Sequence, residues 1–381
     1  MAALYWNQRQ YKPQEEERKR AMKALHVVGA RPNFMKAAPV YRAMAQAGHE
    51  QTLVHTGQHY DALMSDVFFE ALEIPAPDES LNVGSGSHAQ QTAAIMSRFE
   101  PVLLKRQPDV VLVYGDVNST VAAALVCSKL GVRLGHVEAG LRSFDRTMPE
   151  EINRLVTDQL ADMLFTPSSD GDENLVREGV AREKIFLVGN VMIDTLVRFL
   201  PKAEQLFPEL KEKLSVDRYG LVTLHRPSNV DEGEIFLPML KTLSELSREL
   251  PLVFPVHPRT RQRWAAELEG AGSGLRVIEP LGYLEFLALQ QHASVVITDS
   301  GGIQEETTYL GTPCLTLREN TERPITIEHG TNLLIGRDWE KLRQGFHAAL
   351  DGSRERKTPP PLWDGKAAER IAAILTQSIH P

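Results

Sequence analysis

Three short segments of the sequence carry carboxylates at the edge of an apolar run. VYGDVNST (113–120) ends such a run on Asp116, and GHVEAGLRS (135–143) ends one on Glu138 with Arg142 close behind. MPEEINR (148–154) opens a helical stretch with Glu150 and Glu151. A fourth segment, TLHRPSN (223–229), stops a run at His225. Carboxylates and an imidazole are the groups of general acid–base chemistry. Each also has a structural explanation. Asp116 suits the N-cap of the next helix, Pro149 with Glu150 and Glu151 suits the first turn of any helix, and His225 suits a plain strand end. Glu138 is harder to explain away, because a carboxylate in so tight an apolar turn is costly unless it is paired or used.

A second set of residues could hold an anion. GARPNFMK (29–36) joins a strand to a helix: Gly29 permits the tight turn, Pro32 suits the first helical position, and the helix start with Arg31 and Lys36 makes a cradle for a diphosphate. TDSGGIQEE (298–306) repeats that plan, with Ser300, Gly301 and Gly302 letting backbone N–H groups approach phosphate oxygens. Glu306 lies one turn further in, placed to accept hydrogen bonds from ribose hydroxyls, and TERP (321–324) adds Arg323 as a second cation. Neither segment is a Walker loop or a GxGxxG fingerprint, and the lone GSG at 84–86 is too weak to count.

These residues need elements to position them. Strand-like runs LHVVGA, QTLVHT, VVLVYGD, RLGHVEA, MLFTPS and IFLVGN alternate with helical stretches up to residue 190. GLVTLH, LVFPVH, LRVIEP, SVVITDS, CLTL and NLLIG do the same from residue 220 onwards. Strands apolar on both faces and alternating with helices predict parallel sheets covered on each side. The expected fold is therefore α/β, two doubly wound Rossmann-like domains facing across a cleft, with the ligand beyond the strands' carboxyl ends. Pro201, Pro208 and a charged stretch place the boundary near 195–215, giving domains at 22–200 and 201–361. KTPPP (357–361) precedes a closing amphipathic helix within 362–381, expected to pack back on the first domain, and residues 1–21 read as a disordered tail.

At 381 residues the chain is long enough for two ordinary cores. It has no apolar run near the roughly 18 residues of a membrane span and no signal-peptide core, so the expected setting is cytoplasmic, without a membrane partner. Cys127 and Cys314 sit apart among apolar neighbours and make no metal pattern, which fits reduced, buried thiols. A net charge of −8 argues against nucleic acid as a partner, so an anionic ligand must be held by a local cluster of cations.

Taken together, GARPNFMK, GD at 115–116, HVEAGLRS, PEEINR, HR at 225–226, SGGIQEE and TERP resemble the ordered motif set of non-hydrolysing UDP-N-acetylglucosamine 2-epimerases. The match runs from about Met22 to the C-terminal helix. The resemblance implies a phosphorylase/glycosyltransferase-type (GT-B) fold, a homodimer, a UDP-sugar substrate bound mainly by the second domain, and neither cofactor nor metal. It assigns Asp116, Glu138, Glu150 and His225 to catalysis. It assigns Phe286 to the uracil and Ser300, Gly301, Gly302, Glu306 and Arg323 to the rest of the nucleotide, with Arg31 and Lys36 as cations brought by the first domain. Arg142 is counted with the binding residues. The implied reaction inverts C2 of UDP-GlcNAc to give UDP-ManNAc, by eliminating UDP from C1 to an enzyme-held glycal and adding it back. That chemistry needs proton-transfer groups at both faces of C2, with burial raising some of their pKa values. Four alternatives stay open: a GT-B glycosyltransferase, a hydrolysing epimerase, an epimerase of a UDP-diacetamido-uronic acid, and a non-catalytic UDP-sugar sensor.

The chain also departs from the family. Many bacterial members need a second UDP-GlcNAc bound beside the active site, and there the GQH turn continues with arginine and a polar amide. Here Tyr60 and Asp61 follow His59, and Gln90 stands where those members have an arginine. The expectation is an enzyme without effector dependence.

Overall fold

The computed structural model describes residues 21–58, 73–352 and 358–378; the tail expected at 1–21 and the turn carrying Tyr60 and Asp61 lie almost wholly or wholly outside them. Seven strands form the first sheet: β1 Lys23–Val28, β2 Glu50–His55, β3 Glu79–Ser80, β4 Val110–Tyr114, β5 Leu134–Val137, β6 Met163–Thr166 and β7 Ile185–Leu187. Their order is β3-β2-β1-β4-β5-β6-β7, and the pairings are parallel. The second sheet holds β8 Gly220–Thr223, β9 Leu252–Pro255, β10 Leu275–Ile278, β11 Val295–Thr298, β12 Cys314–Thr316 and β13 Asn332–Leu334, in the parallel order β10-β9-β8-β11-β12-β13.

Strand order reverses between β1 and β4 in one sheet and between β8 and β11 in the other. Such switch points open crevices at the strands' carboxyl ends. Gly29, Asp116, His225 and Ser300 follow those four strands, so the topology alone gathers the chemistry-bearing segments.

Helices cover the sheets because parallel strands are buried on both faces; every residue of β4, VVLVY, is buried. Those that bear on the site are α1 Arg31–Gln46, α2 His88–Arg106, α3 Asn118–Leu130, α4 Pro149–Leu160, α5 Ser169–Arg177, α6 Val191–Leu214, α7 Tyr283–His292, α8 Gly301–Leu310 and α9 Ala367–Gln377.

Between β7 and β8, where the boundary is expected near 195–215, the chain runs through α6. Instead of a break, the chain runs there as one 24-residue helix that includes Pro201 and Pro208. Both prolines lie on its exposed face, where lost backbone hydrogen bonds are least damaging. The opposite face buries Leu196, Phe199, Ala203 and Leu210. It packs on α1 and α9 on one side and on α7 and α8 on the other, so a single apolar core runs from β1 and β4 through α6 to Leu287 and Leu289. Asp194 on α6 also caps α9, accepting from the Ala367 and Ala368 amides at 3.1 and 2.7 Å. Cys127 and Cys314 are both buried and are not joined in a disulfide.

Candidate active site

The loop between β1 and α1 is shaped by Asn33. Its Oδ1 accepts from the Gly29 and Ala30 amides at 3.2 and 3.1 Å, and its Nδ2 donates to the Tyr114 carbonyl of β4 at 2.7 Å. This bracing sets the pitch of α1 and brings Lys36, one turn in, to the end of β5. There Lys36 Nζ meets Glu138 Oε1 at 2.7 Å, with the two side chains only 7% and 3% exposed. Gly115 lies between them in the left-handed region at φ 62°, and a Cβ there would stand 2.8 Å from Lys36 Nζ. Glycine is what leaves room for the ion pair.

Glu138 itself has φ 73°, a conformation that costs a non-glycine residue on the order of 1 kcal/mol or more and tends to survive where function needs it. Its amide donates to the Phe165 carbonyl at 3.1 Å. Gly140, at φ 82°, then turns the chain so closely over α5 that a Cβ would stand 2.5 Å from the Gly171 carbonyl oxygen.

Asp116 does not cap α3; the N-cap is Val117, with no side-chain bond. Its carboxylate is held by Arg154 of α4, with Nη2 at 2.7 Å and Nε at 3.0 Å. Burial would push Asp116 up, but the charges of Arg154, Lys36 and Arg323 outweigh it and hold the group below the ordinary aspartate range. For this carboxylate the expectation of a raised pKa is therefore reversed. Arg154 also pairs with Glu151 at 2.7 Å, and Glu151 accepts from the Ser143 amide and hydroxyl and the Phe144 amide. Of the adjacent glutamates, Glu151 thus anchors the Glu138 loop. Glu150 stays half-buried, close enough to Arg226 of the second sheet's domain for its charge to act on that guanidinium.

In that domain, β8 delivers His225 and β11 delivers Asp299. The fully buried Asp299 accepts from the His225 and Arg226 amides and from Asn229 Nδ2, and lies 3.0 Å from His225 Nδ1. The imidazole is oriented yet 57% exposed. At the start of α8, Ser300 is the N-cap and Gly301 and Gly302 open the first turn. A Cβ on Gly301 would stand 2.6 Å from Arg323 Nη1, so this glycine admits the arginine to the helix start; at Gly302 only Met192 Cε comes near, at 3.8 Å. Arg323 then meets Glu305 at 2.7 Å, Glu322, and Glu138 across the cleft at 3.5 Å. Glu306 accepts from the Tyr283 hydroxyl of α7 at 3.1 Å, and burial raises it to about 7 against the pull of that bond. Phe286 is half-buried one turn beyond Tyr283, on the same side of α7.

Lys36, Asp116, Glu138 and Arg323 are thus brought into one buried ionic cluster spanning both halves. Arg31 opens α1, and its side chain is outside the described residues. Arg142, expected among the binding residues, is bound within its own domain. Its guanidinium is enclosed by Asp158 at 2.7 Å, Glu178 at 2.7 Å and the Leu141 carbonyl at 2.8 Å, with 1% of the side chain exposed. An arginine so enclosed braces the loop from within its own domain.

Sequence reasoning missed Arg154, Asp299, Glu305 and Glu322. Each neighbours a singled-out residue in PEEINR, TDSGG, QEE or TERP, but only the fold reveals that it points inward. Two buried carboxylate oxygens in the cluster, Glu138 Oε2 and Glu305 Oε2, have no hydrogen-bond partner among the described residues and are placed to accept a proton or a hydroxyl.

Comparison with known proteins adds an independent line. Residues 42–376 match the sequence model of the family described as UDP-N-acetylglucosamine 2-epimerase. A UDP-N-acetylglucosamine 2-epimerase of Methanocaldococcus jannaschii is 43% identical over 364 residues, covering 93% of this chain and 99% of the relative. A crystal structure of the Methanocaldococcus jannaschii UDP-GlcNAc 2-epimerase in complex with UDP-GlcNAc and UDP superposes with a TM-score of 0.85, covering 93% of this chain and 99% of that one. A UDP-2,3-diacetamido-2,3-dideoxy-D-glucuronate 2-epimerase of Pseudomonas aeruginosa is 42% identical over 363 residues, covering 93% of this chain and all of the relative.

Proposed function

The chain belongs to the UDP-N-acetylglucosamine 2-epimerase family, and on that premise we propose that it interconverts UDP-GlcNAc and UDP-ManNAc by eliminating UDP and adding it back. The observation that carries this reading is the contact of Glu138 with Lys36 on its own side and Arg323 on the other. A carboxylate aimed at the sugar is thereby tied to a cation at the start of the helix suited to a diphosphate.

In the forward step a base takes the C2 proton, the C–H electron pair becomes the C1–C2 double bond, and the C1–O pair leaves with UDP. In the return, a proton reaches C2 from the opposite face while a UDP oxygen re-forms the bond to C1. Asp116, Glu138 and Glu150 are the proton-transfer candidates, with His225 facing them from the second domain. The departing diphosphate is stabilised by Arg323, by the Ser300–Gly301–Gly302 helix start and by Lys36 and Arg31. Glu306 binds ribose and Phe286 lies against uracil. A closed cleft keeps water from the intermediate. The working form is a homodimer in the cytoplasm, with no metal or nicotinamide required. Among the described residues no helix is long and apolar enough to cross a membrane.

The substrate is tested by supplying UDP-GlcNAc and UDP-2,3-diacetamido-2,3-dideoxyglucuronate separately and following each nucleotide sugar by phosphorus NMR. Conversion of the first at the higher kcat/KM supports the reading. Conversion of only the second would move the activity to the uronate.

A further inference from the structure

Behind the cluster lies a buried histidine for which the reaction itself has no use. His136, on β5 two residues before Glu138, has no solvent exposure. Its Nδ1 lies 2.6 Å from Asp158 Oδ1 of α4 and its Nε2 lies 2.8 Å from the Gly115 carbonyl oxygen. A carboxylate and a peptide carbonyl both accept, so each ring nitrogen faces an acceptor. Asp158 Oδ2 in turn accepts from the Gly140 amide at 3.1 Å and from Arg142 at 2.7 Å. Glu178 completes the set around Arg142 at 2.7 Å.

The two backbone ends of this chain of bonds are the informative part. Gly115 directly precedes Asp116, and its amide is tied to the Val137 carbonyl at 3.0 Å while its carbonyl is tied to His136. Gly140 turns the loop that carries Glu138. Glu138 lies at positive φ, where a non-glycine backbone does not rest unaided, and the two glycines shape the turns on either side of it. We propose that His136, backed by Asp158, is a positioning residue that aims Asp116 and Glu138 together at the sugar. This rests on the epimerase reading above.

Two isosteres separate the ring's bonds. Glutamine places its amide nitrogen where Nε2 was and keeps the Gly115 bond; asparagine places its amide where Nδ1 was and keeps only the Asp158 bond. Asp158 retains Arg142 and Gly140 without the ring, whereas the Gly115 carbonyl loses its side-chain donor. His136→Asn should therefore lower kcat on the order of a hundredfold, the loss typical of reacting groups displaced by about 1 Å, and His136→Gln within about tenfold. UDP affinity should change little in either, since most of the proposed nucleotide contacts lie in the other domain and the ring touches none of them. The misaimed carboxylates should also release more UDP per epimerisation. That ratio is insensitive to how much protein is folded, and rates are expressed per UDP-binding site. If kcat and the UDP-release ratio per site stay at wild-type values in both variants, the residue is merely structural and the proposal is wrong. Nitrogen-15 spectra of histidine-labelled wild type give a check that needs no activity. One ring should show both nitrogens protonated, absent in His136→Gln; its absence from wild type overturns the brace. If wild type fails to turn over while that signature is present, the functional reading falls and the brace stands.

Discussion

Glu138 Oε1 and Arg323 Nη2 lie 3.5 Å apart across the cleft, and Arg323 also meets Glu305 and Glu322. One guanidinium is therefore shared by three buried carboxylates. Arg323→Ala should lower unfolding free energy by about 3–5 kcal/mol, the cost of stranding buried charges, and weaken UDP binding. Urea unfolding with calorimetric UDP titration checks both. Loss of affinity at unchanged stability would mean that the carboxylates need no such partner.

Asp116→Asn, Glu138→Gln and Glu150→Gln should abolish turnover yet keep UDP affinity if, as proposed, these groups act on the sugar. Glu306→Ala should instead weaken UDP by about 1.5–3 kcal/mol, as for a lost charge-assisted hydrogen bond. Retention of affinity in Glu306→Ala with its loss in the carboxylate variants would reverse the roles of the domains.

Glu306 gives binding a pH dependence. Burial raises it to about 7 and the Tyr283 hydroxyl counteracts this. The ionised carboxylate is the better ribose acceptor, so wild-type affinity for UDP should climb as pH rises through about 7. The difference between wild type and Glu306→Gln removes the titration of the nucleotide's own phosphate. Parallel curves for the two proteins would remove Glu306 from the ribose.

Asp194 gives stability a pH dependence of its own. Burial raises it to about 6, against the pull of its bonds to the Ala368 and Ala367 amides. The native state thus holds this proton more tightly than the unfolded chain, where an aspartate titrates at about 3.9. Its contribution is full below about pH 4 and is lost as pH rises through about 6. Asp194→Asn, which keeps an acceptor for the start of α9, should remove that decline from urea midpoints between those pH values. An unchanged slope would show that Asp194 is not its source.

Much of the architecture was legible because doubly buried strands and capped helix starts leave strong local signals. The carboxyl-end placement of Asp116, Glu138, His225 and Ser300 followed from the βα pattern, and the family likeness agrees with it. The α6 bridge was hidden, since prolines read as breakers unless the buried stripe of Leu196, Phe199 and Ala203 is weighed against them. The enclosure of Arg142 was hidden, because nothing in GHVEAGLRS reveals that Asp158 and Glu178, from later elements, close around it. Asp116's low pKa was equally invisible, depending on an arginine 38 residues away.

Reverse kinetics test the effector expectation. Gln90 is occupied by the start of α2, its Oε1 accepting from the Ser87 amide at 3.2 Å, and it brings no charge to a second nucleotide. Pure UDP-ManNAc should be epimerised without lag and with hyperbolic kinetics. Activity appearing only after trace UDP-GlcNAc is added would show that other residues supply a second site.

The central claim, inversion through proton removal at C2 with UDP detached, is tested most directly by proton NMR of UDP-GlcNAc incubated with the protein in D2O, without added metal or NAD. The expected result is UDP-ManNAc with solvent deuterium at C2 of both nucleotide sugars, and free UDP accumulating only slowly. Epimerisation with the C2 proton retained, or free N-acetylmannosamine formed in step with UDP, would contradict it.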